Sequence, residues 1–390
     1  MERVFSKKED CCGCSACRSI CPQNAIRMIQ DARGFWYPSV NREKCVDCGL
    51  CQKVCSFCKK ENKDVQPTVY AAFNKDNRKR RSSSSGGIFI EAAESIIDKG
   101  GVVYGAKFDE LYNVYHSRET ELCGLKALKG SKYVQSNIKN CFRMIQEDLN
   151  SDKKVLFVGV PCQVGGLKAY LGRDYDNLYL IDLACHGVAS PKVWQSYIRL
   201  RGEGRKIRSV SFRDKSRGWK KFSLQIIYDT GKYLATQDRD HYMTLFLNNL
   251  ILRESCFNCP YNSFNREGDI TLADFWGIEV YKPHLDDNRG ISTVLINTQQ
   301  GEELFNQIKD NLIFEDSNIK ECLQGPFKSC MTRNKKSEKF WELFEMDADR
   351  AINKFGRYSF KRVLIIRVII PVIRKIGLYG IVMGLMGKRG

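Results

Sequence analysis

The chain has 390 residues, 43% of them hydrophobic, which supports a folded body and is too long for one ordinary core. Its 18 cysteines would suit a secreted disulfide scaffold, but ten of them fall between residues 11 and 58 at metal-ligand spacing, so reduced thiols and a cytoplasmic setting are expected instead. The net charge of +18 is concentrated in residues 199–221 (ten Lys/Arg against Glu203 and Asp214) and 351–390 (nine Lys/Arg, no acid), with no helix-turn-helix, zinc-finger or RNA-binding signature, so nucleic acid is not expected as a partner.

Residues 1–10 lack the apolar stretch of a secretory leader, and none is expected. Next come Cys11, Cys14, Cys17 and Cys21, then Cys45, Cys48, Cys51 and Cys55, which is CxxCxxCxxxC written twice. In two-cluster bacterial ferredoxins such a run gives three thiolates to one 4Fe-4S cluster and its fourth to the other. Cys11, Cys14, Cys17 and Cys55 are therefore assigned to one cluster, and Cys45, Cys48, Cys51 and Cys21 to its neighbour. Two residues between cysteines let adjacent thiolates converge on one small inorganic core, while three residues and a turn send the last thiolate away. Zinc knuckles also use CxxC, but close with two pairs rather than quartets. Pro22 follows the first run and Ser56 the second, while Cys12 and Cys58 fall outside the spacing and are read as bystanders.

A charged linker over residues 59–67 leads into a strand at 69–73. Ser82 to Ser85, Gly86 and Gly87 then precede a helix over 88–99. Serines and glycines ahead of a helix expose N–H groups at the positive end of its dipole, a seat for phosphate. An ordinary Ser cap with a flexible lead-in fits the spacing equally well. Strands follow at 102–108 and 112–117, and a polar stretch holding Lys132 and Tyr133 precedes a helix to about 150. The apolar run 155–159 delivers Cys162 and a helix over 164–171, and the run 178–183 delivers Cys185, His186 and a helix after Pro191. This alternation implies a substantially parallel sheet, with sites at the C-terminal ends of its strands, where Cys162 and Cys185 fall.

Residues 206–236 read as a β-hairpin or meander insert with a basic loop carrying Arg213, Lys215 and Arg217. A helix at 241–252 leads to Cys256 and Cys259; a strand with an acidic turn at 268–277, a strand at 291–297 and a helix at 302–311 complete the body. The fold class expected is α+β or α/β: a small N-terminal ferredoxin-like module carrying two 4Fe-4S clusters, then a larger mixed α/β body with the hairpin insert. The tail is apolar but broken by Arg367, Pro371, Arg374 and Lys375, so it is not expected to span a bilayer. Peripheral contact of residues 361–390 with the inner face of an anionic membrane, or docking on the protein's own core or a partner, is consistent with its composition.

Cys162, Cys185, Cys256 and Cys259 are the other cysteines in loop positions beside Pro or Gly, and four thiolates make a candidate third cluster. The alternative is that Cys162 and Cys185 are small buried hydrophobes and Cys256/Cys259 a redox pair or half a zinc site. Cys123, Cys141, Cys322 and Cys330 lack that context and are read as structural.

The strings SSSSGGIF, GGVVYGAKF, GSKYVQS, VGVPCQVGGLKAYL, DLACHGVASPKVW, FRDKSRGW, RESCFNCPY and GDITLADFWG, in this order, resemble the beta-subunit family of coenzyme F420 hydrogenases and dehydrogenases. The resemblance implies an iron-sulfur flavoprotein oxidoreductase with FAD in the body, a further 4Fe-4S cluster on Cys162, Cys185, Cys256 and Cys259, and hydride exchange with a deazaflavin. Domain limits follow as 1–60 for the dicluster module, 68–150 and 151–330 for the two parts of the body, and 351–390 for the tail. Related bacterial chains occur among polysaccharide-synthesis proteins, which leaves the organic acceptor open.

Clusters pass single electrons and a deazaflavin exchanges a hydride, so flavin is expected to join the two. Ser85, Gly86 and Gly87, with Lys132 and Tyr133, are the candidate flavin contacts. His186 is the candidate proton carrier, or else bonds to its own loop. The partners expected are an electron-donor or acceptor protein and an acidic small-molecule cofactor or substrate drawn in by the basic loop. The rival reading is a flavin-free adapter that docks on a separate catalytic protein.

Overall fold

The computed structural model describes residues 4–57 and 66–357. In the front module a short helix follows each cysteine triplet's start, Ala16–Ile20 and Leu50–Lys53, each entered through a left-handed residue, Ser15 (φ 67°) and Gly49 (φ 75°). Between them lies an antiparallel hairpin of β1 (Ile26–Gln30) and β2 (Trp36–Val40), paired from Ile26 opposite Val40 to Gln30 opposite Trp36. This hairpin spaces the two cysteine runs so that each can lend its last thiol across the module.

The body is built from β3 (Thr68–Asn74), β4 (Val102–Phe108), β5 (Val114–Glu119), β6 (Val155–Gly159), β7 (Leu178–Leu183), β8 (Ile207–Asp214), β9 (Ser223–Tyr228), β10 (Lys232–Thr236), β11 (Ile270–Asp274), β12 (Ser292–Ile296) and β13 (Leu312–Ser317). Eight of these form one sheet in the order β13-β3-β12-β11-β7-β6-β4-β5. Its centre, β11-β7-β6-β4, is parallel, and both flanks are antiparallel. Strand β6, Val-Leu-Phe-Val-Gly, is buried at every position, as a strand covered on both faces must be. Helices Ile88–Ile97 and Gln299–Ile308 pack on one face with Leu156 and Ile181. Helices Cys141–Asn150 and Pro161–Leu171 pack on the other with Val155, Phe157 and Leu178.

The predicted stretches 68–150 and 151–330 thus contribute strands to a single sheet. The insert is an antiparallel β10-β9-β8 meander that packs with helices Pro191–Gly202 and His241–Leu247 around Trp194, Tyr197 and Tyr242. The membrane contact or docking considered for residues 361–390 falls outside the described residues. Among the described residues no helix is long and apolar enough to cross a membrane.

The front module is stapled to the body rather than tethered to it. Arg143 donates to the carbonyls of Ser19 and Cys21, Arg18 to the carbonyl of Lys139 and Oδ1 of Asn140, and Lys192 to the carbonyl of Ala32. Ala16 lies in the same apolar cluster as Phe142, Val164 and Leu167 of the body. At Gly166 a Cβ would stand 2.8 Å from Cys14 Sγ, and at Gly165 one would stand 2.7 Å from the Tyr261 hydroxyl. Gly166 lets the cysteine run of one domain lie against a helix of the other, and Gly165 makes room for Tyr261 of the body.

Candidate metal centres

Cys11, Cys14, Cys17 and Cys55 come together: burial, then the thiols of Cys14, Cys11 and Cys55, push the Cys17 thiol up. Cys21, Cys45, Cys48 and Cys51 line a second cavity together with Val46 and Leu50. Its rim faces solvent, since Cys48 is exposed and Val46 is 63% exposed. The backbone N–H of Ala25 donates to Cys21 Sγ at 3.3 Å, the kind of bond that tunes a cluster's sulfurs. Both quartets are the ones the crossed ferredoxin pattern gives.

A third cavity opens at the C-terminal ends of the adjacent parallel strands β6 and β7. Helix Pro161–Leu171 begins directly after β6 with proline in its first turn, so Cys162 rides on the helix start and not in a loop. Cys185 follows β7, and the 3-10 turn Glu254–Asn258 brings Cys256. Cys162, Cys185, Cys256 and Cys259 all line this cavity, with no carboxylate among its walls. Burial, then the thiols of Cys256 and Cys259, raises Cys185, and burial pushes Cys259 up to about 12. Four crowded, largely buried thiols resist ionising together without a cationic core, and metal binding supplies one. The N–H of Val188 donates to Cys256 Sγ at 3.4 Å.

Sequence spacing missed two participants. Cys12, read as a bystander, lines the third cavity beside Cys162, and its thiol stands close to both Cys14 of the first quartet and Cys162 of the third. Cys330, read as structural, donates from Sγ to the Cys259 carbonyl at 3.2 Å. Neither carries a local signal, because Cys162 and Cys259 lie far along the chain from Cys12 and Cys330. Ser56 accepts from the Tyr261 hydroxyl at 3.3 Å, which ties the end of the second cysteine run to the third cavity.

The candidate flavin contacts are largely engaged within the chain. Ser85 Oγ donates to the Ile291 carbonyl, and Gly86 N–H donates to Ser292 Oγ. Gly87 caps helix Ile88–Ile97 at φ 85°. Lys132 Nζ donates to three carbonyls, those of Ala127, Leu128 and Lys129, and burial lowers it to about 7. The Tyr133 hydroxyl accepts from Arg213 at 3.2 Å, and its ring stacks on Phe246 at 4.9 Å. His186 lines the third cavity, stands 4.9 Å from the same Phe246 and bonds through Nε2 to Asn249 Oδ1 at 2.7 Å; burial lowers its basicity.

Two members of the basic loop are spent internally. Arg213 is buried against Asp274, and Lys215 Nζ is held by the carbonyls of Arg80, Ser85 and Arg289.

Residues 10–58 match the family model of the 4Fe-4S dicluster domain. Residues 152–321 match that of the C terminus of the coenzyme F420 hydrogenase/dehydrogenase beta subunit. Part of the body is similar to that family's C-terminal domain, and the front module to a dicluster domain. The chain is thus an iron-sulfur protein related to the F420 hydrogenase beta subunit. The two quartets of the front module fall inside the first match, and Cys162, Cys185, Cys256 and Cys259 fall inside the second. Ser85, Gly86, Gly87, Lys132 and Tyr133 lie outside both. Among solved structures, the F420-reducing NiFe hydrogenase complex from Methanosarcina barkeri, in a xenon derivative, aligns over 74% of this chain and 90% of that chain at 19% identity, with a TM-score of 0.46. No curated protein matches.

Proposed function

We propose that this chain is the electron-transferring subunit of an oxidoreductase, holding three 4Fe-4S clusters and passing electrons between a partner protein and a flavin with its organic acceptor. The observation that carries the reading is the junction at Cys12, where a cysteine-lined cavity of the body meets the first cysteine quartet of the front module with one thiol between them. When bound, clusters supply one-electron relays and a flavin supplies the exchange with a hydride. The chain's own residues set the layout. The exposed rim around Cys48 offers the outer port, the interior quartet with Cys11 lies against the body, and the third thiol group sits at the sheet's C-terminal edge beside His186. A wall dominated by cysteines, with His186 beside them and no carboxylate on it among the described residues, suits iron-sulfur chemistry.

His186, held by Asn249, is placed to keep a proton at Nδ1 or Nε2 beside that cavity. A coenzyme F420-type deazaflavin, or another acidic acceptor, is the class of substrate the family match supports.

The internal engagement of Ser85, Gly86 and Lys132 favours a second reading, a flavin-free adapter for a separate catalytic protein. The two readings separate on protein purified without oxygen and then acid-treated. Released flavin near one per chain supports the oxidoreductase. Colour and iron without released flavin leave the adapter, and neither iron nor flavin removes both.

A further inference from the structure

Arg253 is fully buried, three residues before Cys256, and it has no carboxylate to neutralise it among the described residues. Its Nε donates to the Cys11 carbonyl at 2.8 Å, and its Nη2 stands 3.7 Å from Cys11 Sγ. Its Nη1 finds no partner among the described residues. The guanidinium lies 3.9 Å from the centroid of the Tyr37 ring, and it forms part of the wall of the third cavity. The ionisable groups beside it are the thiols of Cys11, Cys12 and Cys256 and the Tyr37 phenol. Gly13, at φ +74°, makes the room: a Cβ there would stand 3.3 Å from the guanidinium carbon.

The other buried arginines set the contrast. Arg266, on the same cavity wall, is paired with buried Asp182, Arg213 with Asp274, and Arg80 with Asp287. An unpaired buried cation is strongly unfavourable unless something anionic stands beside it. The groups positioned to do so are the thiolates of the first quartet and of the third. A 4Fe-4S cluster on four thiolates carries net negative charge that grows by one on reduction, so a fixed cation nearby favours the reduced form. Among the described residues, the second cavity has no lysine or arginine on its walls.

We propose that Arg253 is a positioning and tuning residue, a fixed charge shared by the first and third clusters that makes both easier to reduce than they would otherwise be and leaves the solvent-facing second cluster unaffected. The bias draws electrons arriving at the Cys48 rim inward. The part concerning the third cluster rests on the proposed function above; the part concerning the first needs only the dicluster domain.

The test is a redox titration of the anaerobic full-length protein with dithionite and mediators, followed by electron paramagnetic resonance, with iron counted on each sample and Cys48→Ser used to assign the second cluster's signal. In Arg253→Gln, which keeps a donor and loses the charge, the oxidised-to-reduced ratio of the first and third clusters at a fixed potential should rise at least tenfold, or about 59 mV for one electron. The second should stay within threefold, as should all three in Arg253→Lys, which restores the charge. Unchanged potentials in Arg253→Gln with iron intact, an equal shift of all three clusters, or an equal shift in both variants would overturn the proposal. If Arg253→Gln sheds its iron, Arg253→Lys decides alone: potentials within threefold of the parent support the charge, and a tenfold fall defeats it. An iron count of about eight in the parent protein would remove the third cluster and leave the first cluster's shift to be scored by itself.

Discussion

The gathering of the first eight cysteines into two quartets was legible because their spacing is local: a thiol two residues from the next declares its grouping within one turn of chain. Cys12 was not legible, since the thiol that gives it meaning, Cys162, lies in another domain. Glycines behave the same way. Gly166 reads as a weak point in a helix, yet it is the gap through which Cys14 approaches. Gly166→Ala would set a methyl 2.8 Å from Cys14 Sγ, and we expect it to cost about four iron atoms per chain. Gly202→Ala, where nothing lies within 4 Å, should keep its full iron content. Iron analysis of the two variants in parallel checks this.

His116 is another residue whose setting decides its behaviour. It is buried between Ser136 Oγ at 2.7 Å and the Val158 carbonyl at 3.1 Å, and burial lowers it to about 4. A histidine held neutral in the fold and free to protonate when unfolded contributes stability that is present above its unfolded value near 6.5 and is lost as pH falls toward 4. The loss reaches at most about 3 kcal/mol. His116→Gln should therefore show a flatter fall of urea midpoint between pH 6.5 and 4 than the parent. An identical pH slope in both would refute this assignment.

Among the elements, β6 and β7 were readable as apolar runs, and the hydrophobic alternation of β8 to β10 as a meander, because burial on two faces or one leaves its own period. The hairpin β1-β2 was passed over, its residues masked by the cysteine runs on either side. Strand β13 escaped because an edge strand exposes half its side chains, as Ile313 and Phe314 do, and lacks a strong period.

The link between insert and sheet was equally hidden. Arg213 at the end of β8 reads as a solvated loop charge, but it is buried against Asp274 at the end of β11, which also accepts from Trp219 Nε1. Removing one partner of a buried pair strands the other charge, so Asp274→Ala should cost about 3 kcal/mol or more in urea unfolding. Exposed Lys221→Ala in the same basic stretch should change stability by no more than about 0.5 kcal/mol. Equal effects would show that the pair does not join the insert to the sheet.

At the scale of the whole molecule the order of modules was legible, and their docking was not. A composition shift marks where a cluster module ends, but the contacts of Arg143 and Arg18 that hold it on the body join residues more than 100 positions apart. Net charge misleads for the same reason, since a sum over residues 199–221 cannot reveal that Arg213, Lys215 and Lys220 are engaged inside the fold. What emerges is a body whose sheet edge gathers thiols beside those of the front module, with one arginine between the groups.

The central claim is that the body, and not the front module alone, holds iron. The direct measurement is iron and sulfide per chain in protein purified without oxygen, beside the double variant Cys185→Ser, Cys256→Ser. The account predicts about twelve iron atoms in the parent and about eight in the variant. About eight in both would contradict it.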